Sequence, residues 1–277
     1  MINQYAGTCA SCHARVPAQS GQRVNDAGTW KTYHNDCVPV RVAPPAGTHD
    51  GWHNGPLVAF DVETTLPEPQ DARIISAALC GGDGTRRTWM IDPGVPIPPD
   101  ATARHHITDA EVQRDGRQPA EALGELGAAV SDHVRAGVPL VAFFASYDMT
   151  VLRTELARHA LPAVDWSRVL VIDPFVLHKQ VEPAWWGKKT LTDLCAYYQV
   201  PLGQAHDAVE DATATLGLAR AIAARHPRIA GMSLPDLHLA QVEWFAEDAR
   251  GLQRYYDRKG IAKNVGTEWP LEHHRRS

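Results

Sequence analysis

The sequence contains no long hydrophobic run. A helix that crosses a membrane needs roughly 18 or more consecutive apolar residues, and no stretch of this chain approaches that length. The first twenty residues also lack the basic start and apolar core that are typical of a secretory signal. We therefore expect a cytoplasmic protein that does not associate with membranes.

Positive charge is not in excess either, since 27 Lys and Arg face 32 Asp and Glu, for a formal net charge of -5. Proteins that coat nucleic acid through bulk electrostatics carry the opposite balance. This charge argues against that class but is compatible with an enzyme that holds one strand end locally. With 277 residues and 44% hydrophobic content, the chain is long enough for one main domain and a small appended module.

Cysteine is rare and unevenly placed, with three of the five cysteines in the first 37 residues. Cys9 and Cys12 form one close pair, and His34 and Cys37 form another. Three thiolates and an imidazole in this pattern are typical of a tetrahedral zinc site, and the spacing resembles the first half of a LIM-type finger. We expect one structural Zn²⁺, because a module this short cannot bury enough apolar surface to fold alone. His13 is an alternative fourth ligand.

The Pro- and Gly-rich segment 40–56 shows neither helical nor strand periodicity and is interpreted as a linker. The predicted organisation is a zinc-binding module (1–45), a linker (46–56), a main domain (57–230) and a helical C-terminal extension (231–277). The remaining cysteines, Cys80 and Cys195, fall within a predicted strand and a predicted helix, so we expect them in the core.

The main domain shows a block of strands that is followed by alternating strands and helices. Apolar or alternating runs predict strands at 57–64, 72–82, 85–93, 139–144 and 168–173. Helical spacing predicts helices at 119–135, 147–160, 190–198, 208–225 and 234–258. This order predicts an α/β fold in which helices cover a mixed sheet.

Two acidic residues stand at the end of the first predicted strand. Asp61 and Glu63 are two positions apart, so their side chains point to the same face of the strand. Close carboxylates repel each other unless a cation neutralises them, and their oxygens suit Mg²⁺ or Mn²⁺. Taken alone, the pair could also be a charged strand end that faces solvent.

Further polar groups lie at the starts of two predicted helices. Asp148 follows the strand predicted at 139–144, where an N-cap is an alternative role. Asp207, followed three residues later by Glu210, predicts the start of another helix. His206 would lie just outside that helix and Asp211 in its first turns. Their alternatives are a surface histidine and an acid that complements the helix dipole.

The order of these elements resembles the DEDDh 3′–5′ exonucleases, the group that includes the proofreading subunit of bacterial DNA polymerase III. The family motif D-x-E-T-T corresponds to residues 61–65, and H-N-A-x-F-D corresponds to FFASYD at 143–148. The H-x4-D motif runs from His206 to Asp211, and RHHITDAEV at 104–112 is similar to the H-G-I-T segment of the family. The resemblance covers residues 57–225 and implies an RNase H-like α/β fold.

The resemblance implies a two-metal exonuclease that releases nucleoside 5′-monophosphates from 3′ ends of single-stranded DNA. His206 would be the general base, and a polymerase or repair complex would be the partner. Two Mg²⁺ or Mn²⁺ ions would be held by four carboxylates, namely Asp61, Glu63, Asp148 and Asp211. The substrate would contact Thr64, Thr65, Leu66, His105 and Phe144.

The sequence departs from the family pattern at the substrate contacts. Phe143 and Phe144 stand where the family usually has His-Asn, and the Gly that normally follows the two threonines is absent. The loop Trp185-Trp186-Gly187-Lys188-Lys189 is a further candidate contact, because lysines bind phosphate and indoles stack on bases. A loop with a buried Trp and solvated lysines is the alternative.

Two rival functions remain open from the sequence. An exoribonuclease of the same family would use the same carboxylates, because discrimination of the 2′-hydroxyl depends on other contacts. A nucleic-acid-binding module that keeps the fold without turnover would use the zinc finger as its recognition element.

Overall fold

The computed structural model describes residues 1–26, 29–39, 41–185 and 187–272. The strands are β1 (Gly7–Thr8), β2 (Arg15–Val16), β3 (Gly21–Asp26), β4 (Thr29–His34), β5 (Val58–Thr64), β6 (Ile74–Gly81), β7 (Arg86–Met90), β8 (Leu140–Val141) and β9 (Val171–Ile172). The α-helices are α1 (Pro99–His105), α2 (Asp109–Asp115), α3 (Pro119–Arg135), α4 (Ala145–Arg158), α5 (Pro174–Val181), α6 (Leu191–Tyr198), α7 (Ala208–Ala223), α8 (Pro227–Ala230) and α9 (Leu234–Lys259). Within the described ranges, none of the helices is long and apolar enough to cross a bilayer.

The main domain is built on a mixed five-stranded sheet with the order β7-β6-β5-β8-β9. β5 pairs antiparallel with β6 and parallel with β8, and β8 pairs parallel with β9. Parallel neighbours need a crossover connection, and α4 supplies the one between β8 and β9. The predicted α/β fold with a mixed, helix-covered sheet is therefore confirmed.

The central strand β5 is buried on both faces, and its alternating side chains enter two cores. Val58 and Phe60 join a core with residues of α3 and α4, whereas Ala59 joins a second core with residues of α7. Since side chains alternate along a strand, Asp61 and Glu63 continue the Ala59 face. The two carboxylates are thereby directed toward α7.

The chain around the second family motif differs from the prediction. The strands predicted at 139–144 and 168–173 pair only over β8 and β9. Phe144 adopts the left-handed conformation (φ 59°, ψ 47°), which ends the extended chain, so α4 begins at Ala145 rather than at 147. α1, α2, α5 and α8 were not predicted. For α5 the signals exist, because Asp173 caps it and Pro174 occupies its first turn.

Residues before the predicted main domain pack on it. The amide of Gly47 donates a hydrogen bond to the Ala224 carbonyl (2.6 Å), and Nε1 of buried Trp52 donates to the Ile229 carbonyl (2.9 Å). Apart from a 3-10 turn at Trp52–Asn54, the segment between residues 41 and 56 has no regular structure. The segment interpreted as a linker is thus bound along α7 and α8 rather than free.

The C-terminal extension also shares the core of the main domain. Gln241 of α9 is fully buried, accepts a hydrogen bond from the Asp173 amide (2.8 Å) and donates one to the Val171 carbonyl (2.9 Å). Trp269 is buried in the core that contains α3 and α4. The predicted boundary at 230 therefore separates segments that pack together, although residues 273–277 of the extension lie outside the described ranges.

Candidate active site

Four carboxylates from three separate elements line one cavity of about 500 Å³. Asp61 and Glu63 come from β5, and Asp211 comes from the first turn of α7. Asp148 comes from the first turn of α4, where its Oδ1 accepts a hydrogen bond from the Val62 amide at 3.1 Å. The N-cap of α4 is Phe144, so capping is not the role of Asp148.

His206 stands at the same cavity, just before α7. It is exposed, has a left-handed backbone (φ 67°), and its amide donates a hydrogen bond to Asp211 Oδ2 at 3.1 Å. Asp207 caps α7, which holds this turn in place. Glu63, His206 and Asp211 each place one possible ligand atom within 4.8 Å of those of the other two. The structure thus brings together all five residues that the resemblance implies for chemistry.

The electrostatics of the cavity favour a cation. Burial, reinforced by the charges of Asp148 and Glu63, raises the pKa of Asp61 well above its usual range. Burial and the charge of Asp211 raise the pKa of Glu63 to about 8, and burial likewise raises the pKa values of Asp148 and Asp211. Oδ1 of Asp211 is buried without a hydrogen-bond partner among the described residues. The donor set therefore fits a divalent cation that prefers oxygen ligands.

The turn after β5 is closed by a residue that the sequence did not single out. The Tyr147 hydroxyl hydrogen-bonds to the Thr64 hydroxyl and donates to the Leu66 carbonyl. Thr65 is buried, and its Oγ1 accepts a hydrogen bond from the Arg73 amide at 3.0 Å. Tyr147 thus ties the turn to α4 where the usual Gly is absent. Its position next to Asp148 was the only available signal.

His105 of α1 is a buried member of the cavity lining. Its Nδ1 accepts a hydrogen bond from the Ile107 amide at 3.1 Å, and its Nε2 has no partner among the described residues. Burial lowers the pKa of His105, which favours the neutral ring with its proton on Nε2. Arg104, also in the lining, was not predicted; its charge opposes the rise in the pKa of Glu63.

Phe144 lies at the rim of the cavity in a conformation that is uncommon for bulky residues. A left-handed backbone costs such a residue about 1–2 kcal/mol. The buried carboxylate of Asp173 stabilises it by accepting hydrogen bonds from the amides of Phe144 (3.3 Å) and Ala145 (3.0 Å). Asp173, which was not predicted, is therefore a positioning residue for this rim.

The loop of Lys188 and Lys189 lies elsewhere. Among described residues, those that line the carboxylate cavity include none from this loop, and Lys188 lines a separate cavity with Arg41 and Trp185. The Trp185 ring packs on Tyr197, at 4.7 Å between centroids. Trp186 lies outside the described residues. The structure therefore does not bring these two lysines to the carboxylates.

The N-terminal module gathers the predicted zinc ligands. One ligand atom each of Cys9, Cys12, His34 and Cys37 lie within 4.8 Å of one another. Nδ1 of His34 faces the Cys12 sulfur at 3.3 Å while its Nε2 faces the Arg15 carbonyl at 3.1 Å, which is the usual second partner of a metal-binding imidazole. The alternative ligand, exposed His13, lies outside this cluster.

Comparison with known proteins supports the same assignment of fold. The family model for RNase T exonucleases, described as exonuclease, matches residues 58–219. The PolC-type DNA polymerase III of Streptococcus pyogenes serotype M1 is 30% identical over 184 residues, which is 65% of this chain and 12% of the polymerase.

Two solved structures are similar. E. coli exonuclease I in complex with a dT13 oligonucleotide has a TM-score of 0.55 at 20% identity, over 63% of this chain and 42% of that chain. Exonuclease I from Methylocaldum szegediense has a TM-score of 0.52 at 21% identity, over 73% and 44%. The predicted RNase H-like fold is confirmed, while the chain spans less than half of either exonuclease.

Proposed function

We propose that this chain, which belongs to the RNase T exonuclease family, hydrolyses the 3′-terminal phosphodiester of single-stranded DNA and releases nucleoside 5′-monophosphates. The observation that carries the proposal is the convergence of four carboxylates and His206 in one cavity within the matched region. Isolated surface acids do not raise one another's pKa in this way, so the cluster is typical of a functional site.

The four carboxylates, Asp61, Glu63, Asp148 and Asp211, would hold two Mg²⁺ or Mn²⁺ ions. Such ions stabilise the charge that develops on the attacking and leaving oxygens of an in-line displacement at phosphorus. His206, exposed at the mouth of the cavity, would take a proton from the attacking water. The oxygen of that water joins the phosphorus, and the bond to the 3′-oxygen of the preceding nucleotide breaks. A positioned general base contributes about 10²- to 10⁴-fold in rate.

The terminal nucleotide would be held by residues around the same cavity, namely Thr64, Thr65, Leu66, His105 and Phe144. Nε2–H of His105 is a buried donor for a substrate oxygen. Lys188 and Lys189 could reach only a strand that extends beyond the cavity. The complex of E. coli exonuclease I with dT13 supports DNA as substrate, and the similarity to a PolC-type polymerase supports a polymerase or repair complex as partner.

The test is digestion of 5′-labelled single-stranded DNA and RNA in Mg²⁺ or Mn²⁺. We expect stepwise shortening from the 3′ end, faster on DNA, that is abolished by EDTA and by Asp211→Asn. Asp207→Asn is the matched control, because Asn caps helices as well as Asp does and this neighbour lies outside the carboxylate cavity. Equal activity of Asp211→Asn and wild type would contradict the proposed site, and faster digestion of RNA would indicate an exoribonuclease.

The role of His206 needs a separate measurement. His206→Ala should lower kcat by about 10²- to 10⁴-fold while calorimetric titration shows an unchanged affinity for Mn²⁺. A matching loss of metal affinity would assign His206 as a ligand instead of a base.

A further inference from the structure

An exposed aromatic ring stands beside the carboxylates. The Phe144 side chain is 46% exposed, although large apolar side chains usually gain free energy by burial. Phe144 precedes Asp148 by four residues and lines the cavity that contains the four carboxylates. Its backbone is held in an unfavourable conformation by Asp173, and strain of this kind clusters at functional sites.

The ring is supported from behind by two other aromatic residues. The centroids of Phe144 and Phe175 are 4.0 Å apart with an interplanar angle of 37°, and Phe143 meets Phe144 edge-on at 5.0 Å. Nζ of Lys179 lies 5.0 Å from the Phe175 centroid. Phe175 also lines the next cavity, about 340 Å³, between α5 and α9. Phe143, Phe144 and Phe175 thus form an aromatic ledge that leads away from the carboxylates, and Phe144 is its exposed member.

The chemistry of this ledge matches a nucleobase. A strand whose 3′ end enters the cavity must pass its rim, where nearly half of the apolar Phe144 side chain is exposed. Bases stack on aromatic side chains whatever their identity, because every base has a π-face. An Asn at this position would instead offer hydrogen bonds to particular polar atoms.

We propose that Phe144, backed by Phe175, is a stacking platform for one base of the strand whose 3′ end occupies the carboxylate cavity, an inference that rests on the proposed function. Such a contact does not distinguish one base from another, so it carries no preference for the sequence of the nucleic acid. It requires a base that is free of a pairing partner and can leave its neighbours in the strand, so it selects single-stranded substrates.

The test measures the affinity of a fluorescein-labelled oligothymidylate by anisotropy in Mg²⁺, with all variants in the Asp211→Asn background to prevent cleavage. Phe144→Ala should weaken binding about 5- to 150-fold, as expected for the loss of one base–aromatic stack. Phe144→Trp should bind as tightly as the background protein. Phe144→Leu keeps the apolar bulk but not the π-face, so it should lose affinity as Phe144→Ala does. It replaces Phe144→Ala in the test if the Ala variant does not fold. Leu239→Ala, an exposed residue of α9, is the control that should change nothing.

A scan of abasic substitutions along the oligonucleotide locates the contact. At one position from the 3′ end, the missing base should weaken binding to the background protein but cause no further loss in Phe144→Ala, because coupled partners are not additive. Unchanged affinity of Phe144→Ala and Phe144→Leu, or additive losses at every position, would overturn the platform and leave a protein partner as the occupant of the exposed ring. Wild type that cleaves neither DNA nor RNA would overturn the proposed function instead, while position-specific coupling in binding would still establish the platform.

Discussion

The two groups of candidate metal ligands in this chain are supported by apolar cores of very different size. In the N-terminal module, the buried apolar cluster consists of Cys9, Val16, Val24 and Tyr33, and Cys9 is itself a candidate zinc ligand. In the main domain, the carboxylates stand on a five-stranded sheet with a large apolar core on each face. We therefore expect the fold of the module to depend on a bound metal ion, whereas the two cores support the fold around the carboxylates without one.

The difference has an electrostatic consequence. The candidate ligands of the module are thiols and an imidazole, which would lose their protons on binding a metal ion. The carboxylates of the cavity are held together by the surrounding fold, although burial and mutual repulsion disfavour their charged forms. A cation should therefore order the ligands of the N-terminal module, whereas in the main domain it should offset the repulsion between carboxylates that are already in place.

The largest expected effect is that of zinc removal. Zinc contributes on the order of 10 to 16 kcal/mol in finger peptides, so a chelator should unfold the four strands of the N-terminal module and leave the main domain folded. Hydrogen exchange with mass spectrometry measures this directly as a loss of protection that is confined to β1, β2, β3 and β4. His34→Ala should lose zinc by elemental analysis, whereas His13→Ala should retain one equivalent. If β3 and β4 stay protected after complete zinc loss, the module folds without a metal ion, as the main domain is expected to do.

The second effect is a pH dependence in the main domain with Mg²⁺ and Mn²⁺ absent. The pKa of Glu63 is raised from its ordinary 4.5 to about 8. Between these values the folded state binds more protons than the unfolded state, so the free energy of unfolding falls as pH rises, by up to about 1.4 kcal/mol per pH unit for this group.

The clean measurement is the difference between wild type and Glu63→Gln in urea denaturation, with zinc retained. The free energy of unfolding of the variant should rise relative to wild type between pH 4.5 and 8, since Gln carries no charge that burial and Asp211 would disfavour. Saturating Mg²⁺ should remove the gain. If the difference in the free energy of unfolding does not change with pH, the charged form of Glu63 is not disfavoured by its surroundings.

The carboxylates could be located from the sequence because the order of their motifs resembles the family pattern, whereas local rules alone left other roles open for each of them. Alternation along a strand places Asp61 and Glu63 on one face, and the cap formed by Asp207 fixes the start of α7. The sequence indicated Phe144 as a substrate contact but not its backbone conformation, because the left-handed conformation of Phe144 depends on Asp173, 29 residues later in the chain. Short-range patterns of apolar residues carry no information about such a contact.

The same limit explains the segment before the main domain. Its Pro and Gly content correctly indicates a lack of periodic structure but says nothing about Trp52, whose indole reaches α8. Cys80 and Cys195, by contrast, are buried as predicted, because their burial follows from the apolar elements that contain them. Local composition thus predicted backbone type better than it predicted where an irregular segment would pack.

The smallest effect decides to which region this segment belongs. Trp52→Phe removes the indole N–H and leaves the Ile229 carbonyl unpaired, at a cost of about 1–3 kcal/mol. Trp30→Phe is the matched substitution in the module, where the Trp ring is 44% exposed, and it should change stability by less than about 0.5 kcal/mol. Urea denaturation of the zinc-loaded protein, followed by far-UV circular dichroism, compares the two. If Trp52→Phe is as mild as Trp30→Phe, the segment is a separable linker; a selective loss of main-domain stability would place the boundary between the two regions before Trp52.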